Sequence, residues 1–366
     1  MQLEVPPLAV SQLSDAAAVD LLHRLVALPS VSGREHDAVH YLVDVMQRLG
    51  FEAYVDQTGN AVGHIGQGRP EVVLLGHIDT VPGSVPVRIE DGKLYGRGAV
   101  DAKGPLAAFV AAAARCGAVA SGGRVTVIGC VEEEAPSSRG AHGVLDAYRP
   151  DYCIVGEPSG TGAITVGYKG SLRARIHLSQ PSGHSAHDRL TVAEQGSDLW
   201  QQLRRWSARI NVGRERSWDQ LIPALVGIRS GSDGLQDWCE LELSIRLPED
   251  IGPSAAAAWL RELVGEGSLE ILGGVDAFRT SRSSPVARAL IGGFKREGLV
   301  PRFIVKTGTS DMNLVGLAWG CPIITYGPGD ASLDHTPDEH ILLADYLRSI
   351  RVLEHTLTAL LAASAV

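Results

Sequence analysis

Four short apolar runs, Val72 to Leu75, Val125 to Cys130, Cys153 to Val155 and Ile323 to Tyr326, are bounded by turn-forming residues and are too short for helices. Strands that are apolar throughout belong to sheets covered on both faces. Between and around these runs the spacing changes to that of helices: Asp15 to Leu28, stopped by Pro29; Glu35 to Leu49, stopped by Gly50; Gly104 to Arg115; and Ser284 to Glu297. Strand and helix signals in alternation predict an α/β fold with a mixed, mainly parallel sheet flanked by helices. Ligands of such sheets gather where the strands end at their carboxyl side.

The middle of the chain has another texture. Leu172 to Leu178 and Leu241 to Leu247 alternate apolar and polar side chains, the pattern of antiparallel strands with one face buried, and helical stretches at Ala193 to Arg209 and Ser254 to Val264 accompany them. The expectation is a small α+β domain at 169–276 inserted into a larger α/β domain formed by 1–168 and 277–366. A length of 366 residues and a hydrophobic share of 45% fit about two domains with real cores.

Composition removes several function classes. From Met1 to Ala18 there is neither a positive leader nor an apolar stretch, and no run approaches the ~18 apolar residues of a membrane span, so a cytoplasmic location is expected. The cysteines Cys116, Cys130, Cys153, Cys239 and Cys321 show no paired spacing and read as reduced core residues. A net charge of -9 argues against nucleic acid or an anionic membrane as the main partner. No GxSxG turn occurs, which disfavours a serine hydrolase. Gly96-Arg97-Gly98 begins like a dinucleotide fingerprint but puts Asp101 where the third glycine belongs, which disfavours nucleotide binding.

The residues just beyond each apolar run carry the chemistry. Gly76-His77-Ile78-Asp79 lies after the first, Val131-Glu132-Glu133-Glu134 after the second, Gly156-Glu157-Pro158 after the third, and Asp334-His335-Thr336-Pro337 comes soon after the fourth. One histidine at a strand end is usually just a satisfied polar residue; the whole set is harder to dismiss. Imidazoles and carboxylates without thiolate suit zinc, cobalt or manganese in an open catalytic site. Asp79 is placed to hold the second ring nitrogen of His77. Three consecutive glutamates raise one another's pKa unless cations neutralise them; a solvated acidic loop is the alternative.

These residues resemble the M20 family of metallopeptidases and deacylases along nearly the whole chain. His77-Ile78-Asp79 matches its first motif, Gly96-Arg97-Gly98-Ala99-Val100-Asp101-Ala102-Lys103-Gly104 its second, and the glutamate run, Gly156-Glu157-Pro158 and His335-Thr336-Pro337 the rest. The resemblance implies a zinc-peptidase-like catalytic domain with an inserted ferredoxin-like lid and dimerisation domain. It also implies two divalent ions per subunit, Zn2+ or Co2+, with Asp101 as the bridge, His77 and Glu157 on one ion, and Glu134 and His335 on the other. A cis peptide after the bridging aspartate is frequent in the family. By the gap to Gly140 the general base is Glu133, with Glu132 as competitor. His184, or else His187, corresponds to a histidine that stabilises the oxyanion in a partner subunit, which implies a homodimer. Arg246 and the loop Gly308-Thr309-Ser310-Asp311 lie where the family holds a substrate carboxylate, although a strand-end arginine needs no such role.

Within the family, Val131 to Gly140, Gly167-Tyr168-Lys169-Gly170 and Lys306 to Asn313 are similar to the hydrolases that release lysine or ornithine from the acidic amino-group carrier protein LysW. That implies the last step of lysine or arginine synthesis by the carrier route. Arg204, Arg205, Arg209, Arg214 and Arg216 would then form a docking surface for the carrier, or else a solvated helix face. Acetylornithine deacetylase and succinyl-diaminopimelate desuccinylase share the metal set and are the nearest rivals; a catalytically inactive carrier-binding protein is a remote one.

Overall fold

The computed structural model describes residues 13–116, 122–184 and 189–362. His187 lies outside the described residues. The chain divides into two compact units, one of 1–167, 280–304 and 310–366, the other of 168–279 and 305–309. The short return of 305–309 to the second unit has no counterpart in the apolar patterning.

The first unit is built on a sheet whose strands run, in spatial order, Glu52–Val55, Ala61–Gly66, Arg124–Cys130, Glu71–His77, Tyr152–Gly156, Ile323–Thr325 and Ala163–Tyr168. The four strands recognised as apolar runs form its parallel centre, and the strands beside them are antiparallel. The fold class is thus the mixed, mainly parallel α/β sheet that the strand–helix alternation predicts. Every residue from Val72 to His77 is buried, as the continuous apolar run requires.

Register brings the strand ends level. Gly76 stands opposite Gly129 on one side and Gly156 on the other, so His77, the turn after Cys130 and Glu157 leave the sheet at one edge. The glycines in that row have a packing cause. A Cβ on Gly156 would come within 2.6 Å of the Phe109 ring, and one on Gly129 within 3.1 Å of Leu106. Both neighbours belong to the helix Lys103–Arg115, whose first eleven residues are all buried. The missing side chains let that helix lie close against the strand ends, which delivers Asp101, just ahead of it, to the same edge.

The second unit is a four-stranded antiparallel sheet in the order Ile222–Ser232, Gln236–Leu247, Gly170–Pro181, Ser268–Val275. With the helices Val192–Ile210 and Pro253–Val264 its chain order is βαββαβ, the ferredoxin-like pattern. Its core is made by the alternate residues Leu172, Ala174, Ile176, Leu241, Leu243 and Ile245 packing on Leu199, Leu203 and Leu260 of the helices. The helix Val192–Ile210 starts on a reciprocal cap, Thr191 accepting from the Glu194 amide while the Glu194 carboxylate accepts from the Thr191 amide.

Candidate metal centre

Asp79 organises the site at the strand ends. It is fully buried, its Oδ1 accepts from the Glu133 amide at 3.0 Å, and its Oδ2 accepts from the Glu134 amide at 3.0 Å and from the Ser32 hydroxyl at 2.7 Å. One carboxylate therefore sets the backbone of the whole glutamate doublet. The same residue faces His77: Nδ1 lies 3.1 Å from the Asp79 carbonyl and 3.4 Å from its Oδ1, which turns Nε2 toward the cluster. Ser32, on the turn after the first helix, carries no periodic signal that would single it out in the sequence.

Nε2 of His77 is 3.2 Å from Asp101 Oδ1 and 3.8 Å from Glu157 Oε1. On the other side, Nε2 of His335 is 3.0 Å from Asp101 Oδ2 and 2.8 Å from Glu134 Oε1. The two oxygens of Asp101 thus face two different imidazoles, each accompanied by one further carboxylate. Donor atoms of His77, Glu133 and Glu157 lie within 4.8 Å of one another, as do those of His77, Asp101 and Glu134. The Asp101–Ala102 peptide bond is cis.

The three glutamates part company here. The Glu132 carboxylate is engaged by the Ser137 hydroxyl and the Arg139 guanidinium, both at 2.7 Å, and Ser137 and Arg139 hold it below the usual range. Its backbone takes a positive φ of 56°, fixed by a 3.2 Å bond from its amide to the buried Glu35 carboxylate. That kink sends Glu132 one way and Glu133 and Glu134 the other. In the sequence only the gap to Gly140 favours Glu133, because the partners that part the two come from an acid far upstream and an arginine beyond the turn.

The charge balance at this edge is lopsided. Asp79, Asp101, Glu133, Glu134, Glu157 and Asp311 gather around His77 and His335. Burial, helped by Glu157, Asp311 and Glu134, pushes Glu133 well above the carboxylate range, and burial pushes Asp311 up to about 7. Burial works against a charged His77, yet Asp101 and Asp79 lift it well above the usual imidazole value. Hydrogen bonds to Asp101 and Glu134 raise His335 to about 10. A cluster that pushes two of its carboxyls, Glu133 and Asp311, and both of its rings toward their protonated forms is one in which cations are the natural counter-charge. The all nitrogen-and-oxygen donor set, with no thiolate, fits two divalent cations.

The remaining candidates fall into place separately. Arg246 Nη1 donates to Thr309 Oγ1 at 3.2 Å within the second unit, and a Cβ on Gly308 would meet open space. Ser310 is buried in the first unit and turns its hydroxyl to the Met312 amide at the start of the helix Met312–Trp319. His184 is exposed just after the strand Gly170–Pro181. Arg204, Arg205 and Arg209 are exposed on the helix Val192–Ile210, whereas Arg214 pairs with Asp250 and Arg216 with Asp219.

Comparison with known proteins agrees with this picture. A [LysW]-lysine hydrolase of Deinococcus radiodurans is 42% identical over 351 residues, 94% of this chain and 97% of that protein. A relative from Thermococcus kodakarensis is 40% identical over 342 residues, covering 93% of this chain and 91% of its own length. An M20 family metallo-carboxypeptidase from Sulfolobus solfataricus, 19% identical, shares the fold with a TM-score of 0.78 over 94% of this chain and 99% of its own. The family model described as "Peptidase family M20/M25/M40" matches residues 73–359, a span that runs from the strand carrying His77 to the last helix, and the chain belongs to that family.

Proposed function

We propose that this metal-dependent hydrolase releases lysine, and ornithine as an alternative, from the side-chain amide that joins it to the terminal glutamate of an acidic LysW-type carrier protein. The observation that carries the reading is the division of Asp101 between His77 and His335, set in a chain 42% identical to a [LysW]-lysine hydrolase over nearly its whole length. His77, Asp101 and Glu157 would hold one ion, and Asp101, Glu134 and His335 the other, with zinc or cobalt the expected metals. Bound there, two such ions supply Lewis acidity toward the amide carbonyl and lower the pKa of water.

The chain's own groups do the rest. Glu133, held by its amide on Asp79 and freed from the Arg139 contact that occupies Glu132, takes the proton from the attacking water and hands it to the departing amine nitrogen. A group that must first accept and then give a proton is served by burial that brings its two charge states closer in energy, the direction in which Glu133 is shifted. Arg246, steadied by Thr309, offers a guanidinium to the α-carboxylate of the leaving amino acid, with Gly308 leaving room beside it and Ser310 anchoring the loop's other end. His184 would reach the partner subunit's site in a homodimer and donate to the developing oxyanion. Support for the dimer is the outer strand Ile222–Ser232, which exposes Val226 at 63% and Ile228 at 50% at the sheet's edge. The enzyme would act in the cytoplasm; among the described residues no helix is long and apolar enough to cross a membrane.

The test is turnover of zinc-loaded protein on carrier-bound lysine, carrier-bound ornithine, N-acetylornithine and N-succinyl-diaminopimelate. Carrier-bound lysine should have the highest kcat/KM, and replacing Arg204, Arg205 and Arg209 by Glu should lower that value ~10-fold or more and flatten its salt dependence. Preference for either free acyl amino acid would replace the carrier reading with a deacylase.

A further inference from the structure

The loop that carries Asp101, Gly96 to Ala102, belongs to no helix or strand, and beyond the Ala99 amide, which donates back to the Gly96 carbonyl, its amides need partners from elsewhere. Glu339 supplies two of them. Its side chain is fully buried, and one oxygen, Oε1, accepts from the Val100 amide at 3.0 Å and the Asp101 amide at 3.1 Å. The other oxygen, Oε2, takes Arg97 Nη1 at 2.7 Å. The Glu339 carbonyl also accepts from the Gly96 amide at 3.2 Å, so both ends of the loop are pinned to one residue.

Arg97 extends the clamp. Its Nε donates to the Gly83 carbonyl at 3.2 Å, and its Nη2 reaches the His335 carbonyl at 3.5 Å. His335 itself sits at a positive φ of 62°. Two proposed ligands 234 positions apart, Asp101 and His335, are therefore tied through one buried carboxylate and one guanidinium that are not ligands themselves. Charge-assisted bonds of this kind are the strong ones, and both oxygens of Glu339 are occupied.

We infer that Glu339, acting with Arg97, is a positioning residue that fixes the Asp101 loop and the His335 turn in one geometry, so that the Asp101 carboxylate divides between His77 and His335. The inference rests on the two-metal reading of the site. Outer partners that orient metal ligands are typically worth ~10–100-fold in affinity or activity. A glutamine at 339 can keep its carbonyl on the two amides only by turning its NH2 toward Arg97, so Glu339→Gln weakens the clamp without changing its volume. Arg97→Gln leaves the Glu339 bonds to the loop and removes the link to His335.

The experiment measures zinc stoichiometry and affinity by competition with a chromophoric chelator, alongside circular dichroism, thermal melting of the metal-free proteins, and kcat and KM with limiting and excess zinc. Wild type should bind two equivalents. Glu339→Gln should bind the weaker one ~10–100-fold less tightly with its secondary structure intact, and excess zinc should restore kcat at unchanged KM. Arg97→Gln should shift zinc affinity in the same direction, and it keeps the test open if Glu339→Gln fails to fold. Wild-type zinc affinity in both variants, with only melting lowered, would reduce the pair to a structural role. A wild type that takes up no zinc would overturn the metal reading and this inference with it.

Discussion

Charged side chains are handled in opposite ways by the two units. In the first, Asp79, Asp101, Glu157 and Glu339 are buried or nearly so at one sheet edge and are held by bonds from backbone amides, hydroxyls and rings. In the second, Arg175 on a central strand stands opposite Glu242 on one neighbour and Glu270 on the other, 3.2 and 3.0 Å away on the solvent side of the sheet. The ladder sets both signs against each other across its strands, Arg175 and Arg229 facing Glu240, Glu242 and Glu270, and is partly open to solvent. The buried cluster carries more acid than its two imidazoles can offset, so its stability and its chemistry both call for cations from outside. Excess buried charge of one sign, and not charge as such, marks the site.

Metal removal should break this comparison most sharply. Chelation should abolish amide hydrolysis, and hydrogen exchange should quicken around residues 77–79, 99–101 and 133–134 while the strand Gly170–Pro181 exchanges as before. Loss of protection in both units would contradict the assignment of cation dependence to one of them. Reloading should also release a proton, because His335, raised to about 10 by its bonds to Asp101 and Glu134, carries one at neutral pH in the metal-free protein that a bound ion displaces. Zinc affinity should therefore tighten as pH rises from 7 toward 9, which calorimetry in buffers of different ionisation enthalpy would register.

Next in size is the division among the glutamates. Glu133→Gln should lower kcat by ~10²–10⁴-fold while both zinc equivalents stay bound. Glu132→Gln should leave kcat within a few-fold of wild type, since its carboxylate is spent on Ser137 and Arg139. Equal losses in the two variants would show that the kink at Glu132 does not separate their roles.

This division also shows where the legibility of the sequence ends. The buried parallel strands were legible because burial on both faces leaves an uninterrupted apolar run, and the proposed ligands were legible because the run ends where the acid begins. Flanking strands were not. In Ala61–Gly66 the glycine at 63 gives its side-chain space to Met46, whose Sδ would lie 2.5 Å from a Cβ there, and that hides a strand behind a residue strands disfavour. In Ile222–Ser232 a register shift between Leu225 and Gly227 breaks the alternation by which a strand is recognised. Around the site, Ser32, Glu35 and Glu339 act through backbone amides distant in sequence, so their identity carries a signal only once the fold supplies the partner. The competition between Glu132 and Glu133 is of that kind: spacing narrows it, and the Arg139 contact to the Glu132 carboxylate becomes visible only in the fold.

The smallest expected effect lies on the exposed ladder. Arg175→Ala removes the cross-strand partner of Glu270 and one of the two of Glu242, and leaves Glu240 and Glu242 to Arg229, with which both already pair. Because these groups are partly open to solvent, water and salt replace much of the lost partner, and pairs in that setting contribute little. Register does not hang on them either, since Leu172, Ala174 and Ile176 on the opposite side of the same strand are buried and fix it. The melting temperature should therefore fall by at most a few degrees, less still at high salt, with zinc binding and kcat unchanged. A larger loss, or any change in zinc affinity, would mean that the ladder supports more than its own sheet, and the contrast between a face of cross-strand ion pairs and a cation-dependent edge would have to be redrawn.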